Sequence, residues 1–435
     1  MTVLNANFPL RDQGVSNFVG LETLPRHRWY FVKEGFSPRL VENAIHSEGV
    51  GKAKLLVDPF SGGGTVALVG ATEGLAVRAF EVNPFLRFLS AAKLRNASAE
   101  TFKTLCSDVA RAFSSPMESP LEDCSTFTEG NRWGRWLFPK EVLRTFEAGR
   151  QSIAPASTPE RALAKLALIA SAMNCCNASR DGKCLRYRED WQSHQATSSD
   201  FIASFNARAA MIAEDLSGNR VQGVDSAVTL GDARVLTGTM REKFDLCVTS
   251  PPYLNSFDYS DVYRPELFLG RFVSDTKQLQ KVRLDAVRSH MQASWDDPKR
   301  DEFGSLYQEC VKQIAAKREQ LWDARIPKMI QAYFEDMETV LKNLRARAAE
   351  HASMWLVVST SAYAGIEVPV DLILAEIGQR KGWFLREVGV LRYLRSSSQH
   401  VQHVTDETRK SVPLRESVVI FDATPKGKPK SKSRA

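Results

Sequence analysis

Residues 54–57 (Lys-Leu-Leu-Val) form a short apolar run that stops at Asp58-Pro59-Phe60 and gives way to Ser61-Gly62-Gly63-Gly64-Thr65. The Ala/Val/Leu stretch 66–72 suits a helix, and 77–80 reads as a second strand, ended by Glu81 and an Asn83-Pro84 turn. Strand, glycine loop, helix, strand is one βαβ unit of a parallel sheet. From 89 to about 217 the pattern is mostly helical, interrupted by a Pro/Ser/Glu-rich stretch near 114–122. Within it, 159–173 predicts a helix with Thr158 as N-cap and Pro159 in its first position. Strand signals return at 227–230 and 244–248, each followed by a polar loop: Gly231-Asp232-Ala233-Arg234, then Thr249-Ser250-Pro251-Pro252-Tyr253. Residues 267–347 are again helical and highly charged, and 355–359, 388–393 and 417–421 supply three more strands.

These elements predict an α/β protein: a Rossmann-like, mostly parallel sheet of about seven strands with helical insertions after the second and fourth. The last two strands, with a loop between them, suit an antiparallel hairpin at the sheet's edge. The chain divides into 1–95, carrying the first βαβ unit, an insertion 96–222, a return to the sheet at 223–264, a second insertion 265–350, the closing strands 351–423 and a tail 424–435. No internal repeat is visible.

At 435 residues the chain has room for two or three folding units at roughly 150 residues each. The proportions, 43% hydrophobic and 25% charged, are those of an ordinary globular protein. The most apolar run, 162–173, is broken by Lys165 and Ser171 and is too short to span a bilayer, and the N-terminus lacks a secretory pattern. A membrane partner is therefore not expected, and a cytoplasmic location is. Seven scattered cysteines without a CxxC pair read as reduced thiols. Cys175, Cys176, Cys184 and His194 match no familiar zinc spacing, so no metal is expected. The net charge is +7, but five of those charges sit in the Pro/Gly/Ser/Lys tail, 426–435, which reads as disordered. Bulk charge alone therefore does not establish a nucleic-acid partner.

Gly62-x-Gly64-x-x-Ala67 fits the dinucleotide fingerprint, with Glu81 placed to accept ribose hydroxyls. NAD, FAD and S-adenosylmethionine sites all use such a loop. Without a Gly-Lys-Ser/Thr ending a P-loop is disfavoured. Asp58, immediately before the glycines, would repel a pyrophosphate but suits ammonium and sulfonium groups, which favours S-adenosylmethionine. Ser250-Pro251-Pro252-Tyr253 follows a buried strand. Its prolines stiffen the backbone and remove donors, leaving carbonyl acceptors beside a hydroxyl and an aromatic ring. That arrangement suits a planar aromatic amine.

Together, Asp58-Pro59-Phe60-Ser61-Gly62-Gly63-Gly64-Thr65 and Thr249-Ser250-Pro251-Pro252-Tyr253 resemble the paired signature of S-adenosylmethionine-dependent DNA amino-methyltransferases. Phe36-Ser37-Pro38-Arg39-Leu40-Val41 is similar to the family's N-terminal cofactor motif. The resemblance implies a class I methyltransferase fold, S-adenosylmethionine as cofactor and double-stranded DNA as substrate. It also implies cofactor contacts from Phe36, Ser37, Pro38, Asp58, Pro59, Phe60, Ser61, Gly62, Gly64, Thr65, Glu81, Asn83, Asp232 and Ala233. Glu81 would hold the ribose and Asp232 read the adenine amine. Ser250, Pro251, Pro252 and Tyr253 would hold a base flipped from the duplex for direct methyl displacement. Ser in the first tetrapeptide position is the form common among cytosine-N4 enzymes, whereas Asp or Asn is commoner among adenine-N6 enzymes. Carbon-5 methylation needs a Pro-Cys nucleophile, and no cysteine here follows a proline. A restriction-modification role, with a separately acting endonuclease, is a family-level expectation.

The DNA-reading surface has two candidates. The first insertion interleaves arginine with aromatics or glycine in Asn131-Arg132-Trp133-Gly134-Arg135-Trp136 and in 180–188, which contains Arg180, Lys183 and Arg186. The second insertion is rich in Lys and Arg over 277–325, but charged helices are usually solvated faces, so the first is preferred. Arg395, after a late strand, could clamp the backbone. Asp258 and Tyr259, just downstream of Tyr253, could line the base pocket or serve as capping and packing residues, and the second role is slightly preferred. Competing classes are an adenine-N6 enzyme of the same family, an RNA guanine methyltransferase, an NAD-dependent oxidoreductase that leaves Ser-Pro-Pro-Tyr unused, and a non-enzymatic DNA-binding protein.

Overall fold

The computed structural model describes residues 4–394 and 414–425, apart from 18–19, 33–34, 52–53, 156, 182–183, 219 and 223–224. Lys183, Arg395 and the basic tail from 426 lie outside the described residues.

The described residues contain twelve strands: β1 (Leu4–Asn5), β2 (Leu55–Asp58), β3 (Ala76–Glu81), β4 (Ala178–Asp181), β5 (Cys184–Tyr187), β6 (Ser226–Leu230), β7 (Phe244–Thr249), β8 (Ala348–Ser359), β9 (Ser361–Tyr363), β10 (Ile366–Val368), β11 (Phe384–Leu394) and β12 (Leu414–Asp422). Eight of them form one sheet in the order β1-β11-β12-β8-β7-β2-β3-β6. All seven expected strands are in it, and all pairs are parallel except those β12 makes with β8 and β11. The expected edge hairpin is thus β11–β12, but β12 enters between β8 and β11, and the two-residue β1 covers the outer side of β11. The ribbons β4–β5 and β9–β10 are additional.

This order places the site. From β2 the chain steps outward through β3 to β6, then returns to the other side of β2 as β7 and continues outward to β8. The direction reverses between β2 and β7, and open α/β sheets hold their ligands in the crevice beyond such a switch point. The glycine loop leaves β2 there and the Ser-Pro-Pro-Tyr loop leaves β7.

Both faces of the sheet are covered. One packs against the helices Ile326–Arg347 and Val370–Arg380, the other against the helices Pro38–Ser47 and Thr65–Thr72. The insertion between β3 and β6 builds an apolar core, including Phe102, Phe113, Phe146, Phe201 and Phe205, which it shares with Trp29 and Tyr30 before it and Tyr263 and Leu267 after it. Its central helix, Pro159–Asn174, begins as the sequence predicts, with the Thr158 hydroxyl accepting from the Arg161 amide at 3.3 Å. Asp215, 1% exposed, joins this insertion to the N-terminal segment by accepting from the Arg26 amide, the Arg28 guanidinium and the Trp29 indole. No helix of the described residues is long and apolar enough to cross a membrane.

Candidate active site

The glycine-loop wall is built almost entirely by neighbours in sequence. Asp58 ends β2 and accepts from the Phe60 amide at 3.1 Å. Glu81 ends β3, with one carboxylate oxygen accepting from the Gly62 amide at 2.7 Å and the other from the Asn83 amide at 2.8 Å. Asn83 in turn caps the helix Pro84–Lys93, accepting from Phe85 and Leu86. Gly64 has φ +83°, and a Cβ there would lie 2.6 Å from the Ser90 hydroxyl, so only glycine fits. Burial pushes both Asp58 and Glu81 up to about 7, against the hydrogen bonds that favour their charged forms.

The two loops meet through one hydrogen bond: the Thr249 hydroxyl donates to Asp58 at 2.7 Å. Beyond it, the Tyr253 hydroxyl donates to Glu416 at 3.1 Å, and Glu416 pairs with Arg392 at 2.5 Å. Arg392 and Glu416 face each other in register on β11 and β12. Burial, with the Glu416 carboxylate beside it, holds the Tyr253 phenol well above its usual range, so it stays a neutral donor.

Between these walls lies a cavity of about 410 Å³, the size of a small-ligand site. Ser250, Pro251, Pro252 and Tyr253 line one side. The strip from Asp58 to Gly62 lines another, with Thr65, Glu81 and Asn83. Phe36, Asp232 and Ala233 complete the predicted set that reaches the cavity. Ser37, Pro38 and Gly64 do not line it: Ser37 caps the helix Pro38–Ser47, Pro38 starts that helix, and Gly64 is packed against Ser90. Asp232 caps the helix Ala233–Thr239 and also binds the Arg234 guanidinium at 2.9 Å. The Asn83 side-chain nitrogen is buried without a partner, a donor facing a place where a ligand acceptor would satisfy it. Arg283 and Arg392, the arginines that line the cavity, are paired with Asp258 and Glu416. The chamber therefore offers buried carboxyls to a cation and carbonyl acceptors to an amine.

Sequence reasoning missed the strip 282–290 from the second insertion, which includes Arg283, Asp285, Ser289 and His290 and closes the cavity. No local motif marks it. Asp258 caps the short helix Tyr259–Val262 and pairs with Arg283, and both Asp258 and Tyr259 also line the cavity, so capping and lining are combined in one place. Tyr259 packs its ring 4.4 Å from Phe257.

The candidate DNA arginines separate. Arg132, stacked at 4.6 Å over Trp133, is exposed, as are Arg135, over Tyr187, and Arg186. Arg180 is a correction. It is paired with the fully buried Glu266, bonded to the Tyr30 hydroxyl at 2.8 Å and stacked on Tyr263, so its charge is spent inside the protein and not on a phosphate.

No family model matches the chain. It is 24% identical over 407 residues to the Type II methyltransferase M.AvaI of Nostoc sp. strain PCC 7120, covering 87% of this chain and 83% of that protein. It is 22% identical over 446 residues to the Type II methyltransferase M.BsoBI of Geobacillus stearothermophilus, covering 91% and 85%. Among solved structures, TrmN from Thermus thermophilus matches at 9% identity and a TM-score of 0.28, covering 88% of this chain and 48% of that one. The rRNA methyltransferase aviRa from Streptomyces viridochromogenes matches at 12% and 0.28, covering 89% and 86%. At that TM-score neither fold nor substrate follows from the likeness, and the strand order is what establishes the sheet. The chain is a relative of the Type II methyltransferases over most of its length, as its paired loops imply.

Proposed function

We propose that this protein is a DNA methyltransferase that transfers a methyl group from S-adenosylmethionine to the N4 amine of a cytosine turned out of the duplex. The observation that carries the reading is the convergence of the glycine loop and the Ser-Pro-Pro-Tyr loop on one cavity at the sheet's switch point. The residues present fit the cofactor. The unpartnered Asn83 side-chain nitrogen supplies a donor, Glu81 and Asp232 supply acceptors, and the carboxyls of Asp58 and Glu81, raised by burial, would ionise beside a cationic guest. When bound, S-adenosylmethionine supplies an electrophilic methyl.

The chain's own part is positioning and polarisation. Ser250 and the Pro251 carbonyl accept hydrogen bonds from the amine, which turns its lone pair out of the plane of the base. The ring of Tyr253, fixed through Glu416, supports the base face. The Pro-Pro backbone has few conformations to lose on binding, and no covalent intermediate on the protein is needed. Exposed Arg132, Arg135 and Arg186 would meet phosphates. Acting on chromosomal DNA, the protein would work in the cytoplasm as the modification half of a restriction-modification pair, with the endonuclease acting separately.

The test is mass spectrometry of nucleosides from duplex DNA incubated with the protein and isotope-labelled S-adenosylmethionine. Label in N4-methylcytosine is expected. Label in N6-methyladenine overturns the base assignment, and label in RNA alone overturns the DNA reading.

A further inference from the structure

The second insertion closes the cavity with a loop that carries two buried polar side chains without partners. Ser289 is 1% exposed and His290 3%, both line the cavity, and neither the Ser289 hydroxyl nor the His290 Nδ1 has a hydrogen-bond partner. Buried polar atoms are nearly always satisfied, so two orphans in one cavity wall mark a place where a guest completes the bonding.

The loop's anchors say which end of the cavity this is. Near its start, the Leu284 carbonyl accepts from Arg234, beside Asp232. Arg288 is then held by Asp336 at 2.6 Å and Glu335 at 2.6 Å on the long helix Ile326–Arg347. The loop ends on the other side, where the Ser289 carbonyl accepts from the Ser256 amide at 3.0 Å, three residues beyond Tyr253. Glu81 and Asp58 end β3 and β2 and Asp232 lies just beyond β6, whereas Ser256 continues from β7. Ser289 and His290 therefore belong to the Ser-Pro-Pro-Tyr side of the cavity. Burial lowers the His290 pKa, leaving a neutral ring whose other nitrogen donates to Gln292, so Nδ1 is free as an acceptor.

We propose that Ser289 reads the ring edge of the target base while His290 joins Ser250 and Pro251 in holding its amine. This rests on the methyltransferase reading above. A cytosine held by its N4 amine still presents two acceptors, N3 and O2. An adenine held by N6 presents N1 and then an apolar C2–H. The Ser289 hydroxyl supplies a donor that suits O2 of the pyrimidine edge, and the His290 Nδ1 supplies an acceptor for the amine beside Ser250 and Pro251. Against adenine, which has C2–H in place of O2, the Ser289 hydroxyl would stay buried and unsatisfied, and sites of that kind discriminate strongly.

The experiment compares wild type with Ser289→Ala, Ser289→Cys and His290→Ala, using unmethylated plasmid DNA and labelled S-adenosylmethionine. The readouts are kcat and KM for DNA, the ratio of N4-methylcytosine to N6-methyladenine, and the thermal shift given by S-adenosylhomocysteine. Ser289→Ala and His290→Ala should each lower kcat/KM for DNA at least tenfold, and Ser289→Ala should also lower the cytosine-to-adenine ratio, with Ser289→Cys intermediate. The thermal shift and the melting temperature should stay as in wild type, which separates base reading from a merely structural role. Unchanged kinetics and base ratio in Ser289→Ala overturn the proposal. So does loss of the S-adenosylhomocysteine shift, which would move the pair to the cofactor end. Absence of methyl transfer by the wild-type protein instead overturns the reading on which the proposal rests.

Discussion

The two walls of the cavity are built in different ways. On the glycine-loop side, Asp58, Gly62, Glu81 and Asn83 hold one another through backbone amides, all within one βαβ unit. On the Ser-Pro-Pro-Tyr side, Tyr253 depends on Glu416 and Arg392, and Asp258 on Arg283, each partner supplied by a distant part of the chain. A wall held by its own backbone is organised as soon as its strands pair. A wall held by remote ion pairs is only as well placed as the elements that bring those pairs together. Substitutions on the first wall should therefore cost binding and folding, and those on the second should cost turnover.

The sharpest break in this contrast is Gly64→Ala. The new methyl would meet Ser90 at a φ that disfavours side chains, so we expect a loss of about 3 kcal/mol of stability together with S-adenosylhomocysteine binding, read by thermal denaturation and calorimetry. Tyr253→Ala should do the reverse. Methyl transfer should fall on the order of a hundredfold while the homocysteine ligand still binds, and equal loss of both would erase the distinction.

Two arginines in the first insertion test whether position or mere charge matters. Arg180→Ala strands the fully buried Glu266 and should lower stability by about 3 kcal/mol, whereas Arg132→Ala, at an exposed site, should leave the melting temperature nearly unchanged and weaken DNA binding at low salt. Glu416→Gln keeps an acceptor for Tyr253 but breaks the pair with Arg392, so kcat should fall about tenfold with KM for S-adenosylmethionine unchanged.

The smallest effect is on pH. Asp58 and Glu81 sit near 7 in the folded chain, above their unfolded values near 4, so the empty protein loses stability as pH rises through that window. A cation in the cavity favours the ionised forms. The thermal shift from S-adenosylmethionine should therefore grow from pH 6 to pH 8, and grow more than that from the uncharged thioether S-adenosylhomocysteine. Equal growth would remove the carboxyls from cation binding.

The same contrast explains what could be read from sequence. The seven strands, the Thr158–Pro159 helix start, the Glu81 position and both loops were legible because each is a local pattern of apolar period or turn chemistry. Leu4–Asn5 is too short to carry a period, and β8 begins at Ala348, before the apolar run at 355, because its first residues are partly exposed. Glu416, Arg392, Ser289 and His290 were not legible, since each reaches the site through partners far away in the chain. Arg180 was misread for the same reason: its sequence neighbours suggest a basic ribbon, and only the fold delivers Glu266.

The pairing of β3 with β6 has a consequence of another kind. The long excursion between these strands leaves and re-enters the sheet at adjacent positions, so its length does not set the register of the strands that carry the cavity. Doubling such a loop costs only about 0.6 kcal/mol in closure entropy. What ties it down are polar seams, Asp215 and Arg208 to the Arg26–Trp29 segment, Arg180 to Glu266 and Glu147 to Arg271, and an apolar core shared with Trp29 and Tyr263. The excursion is thus an exchangeable cassette. A different one that kept Asn83, the helix Pro84–Lys93 and those contacts could be grafted onto the same sheet, and the sheet would not need to be rebuilt to accept it.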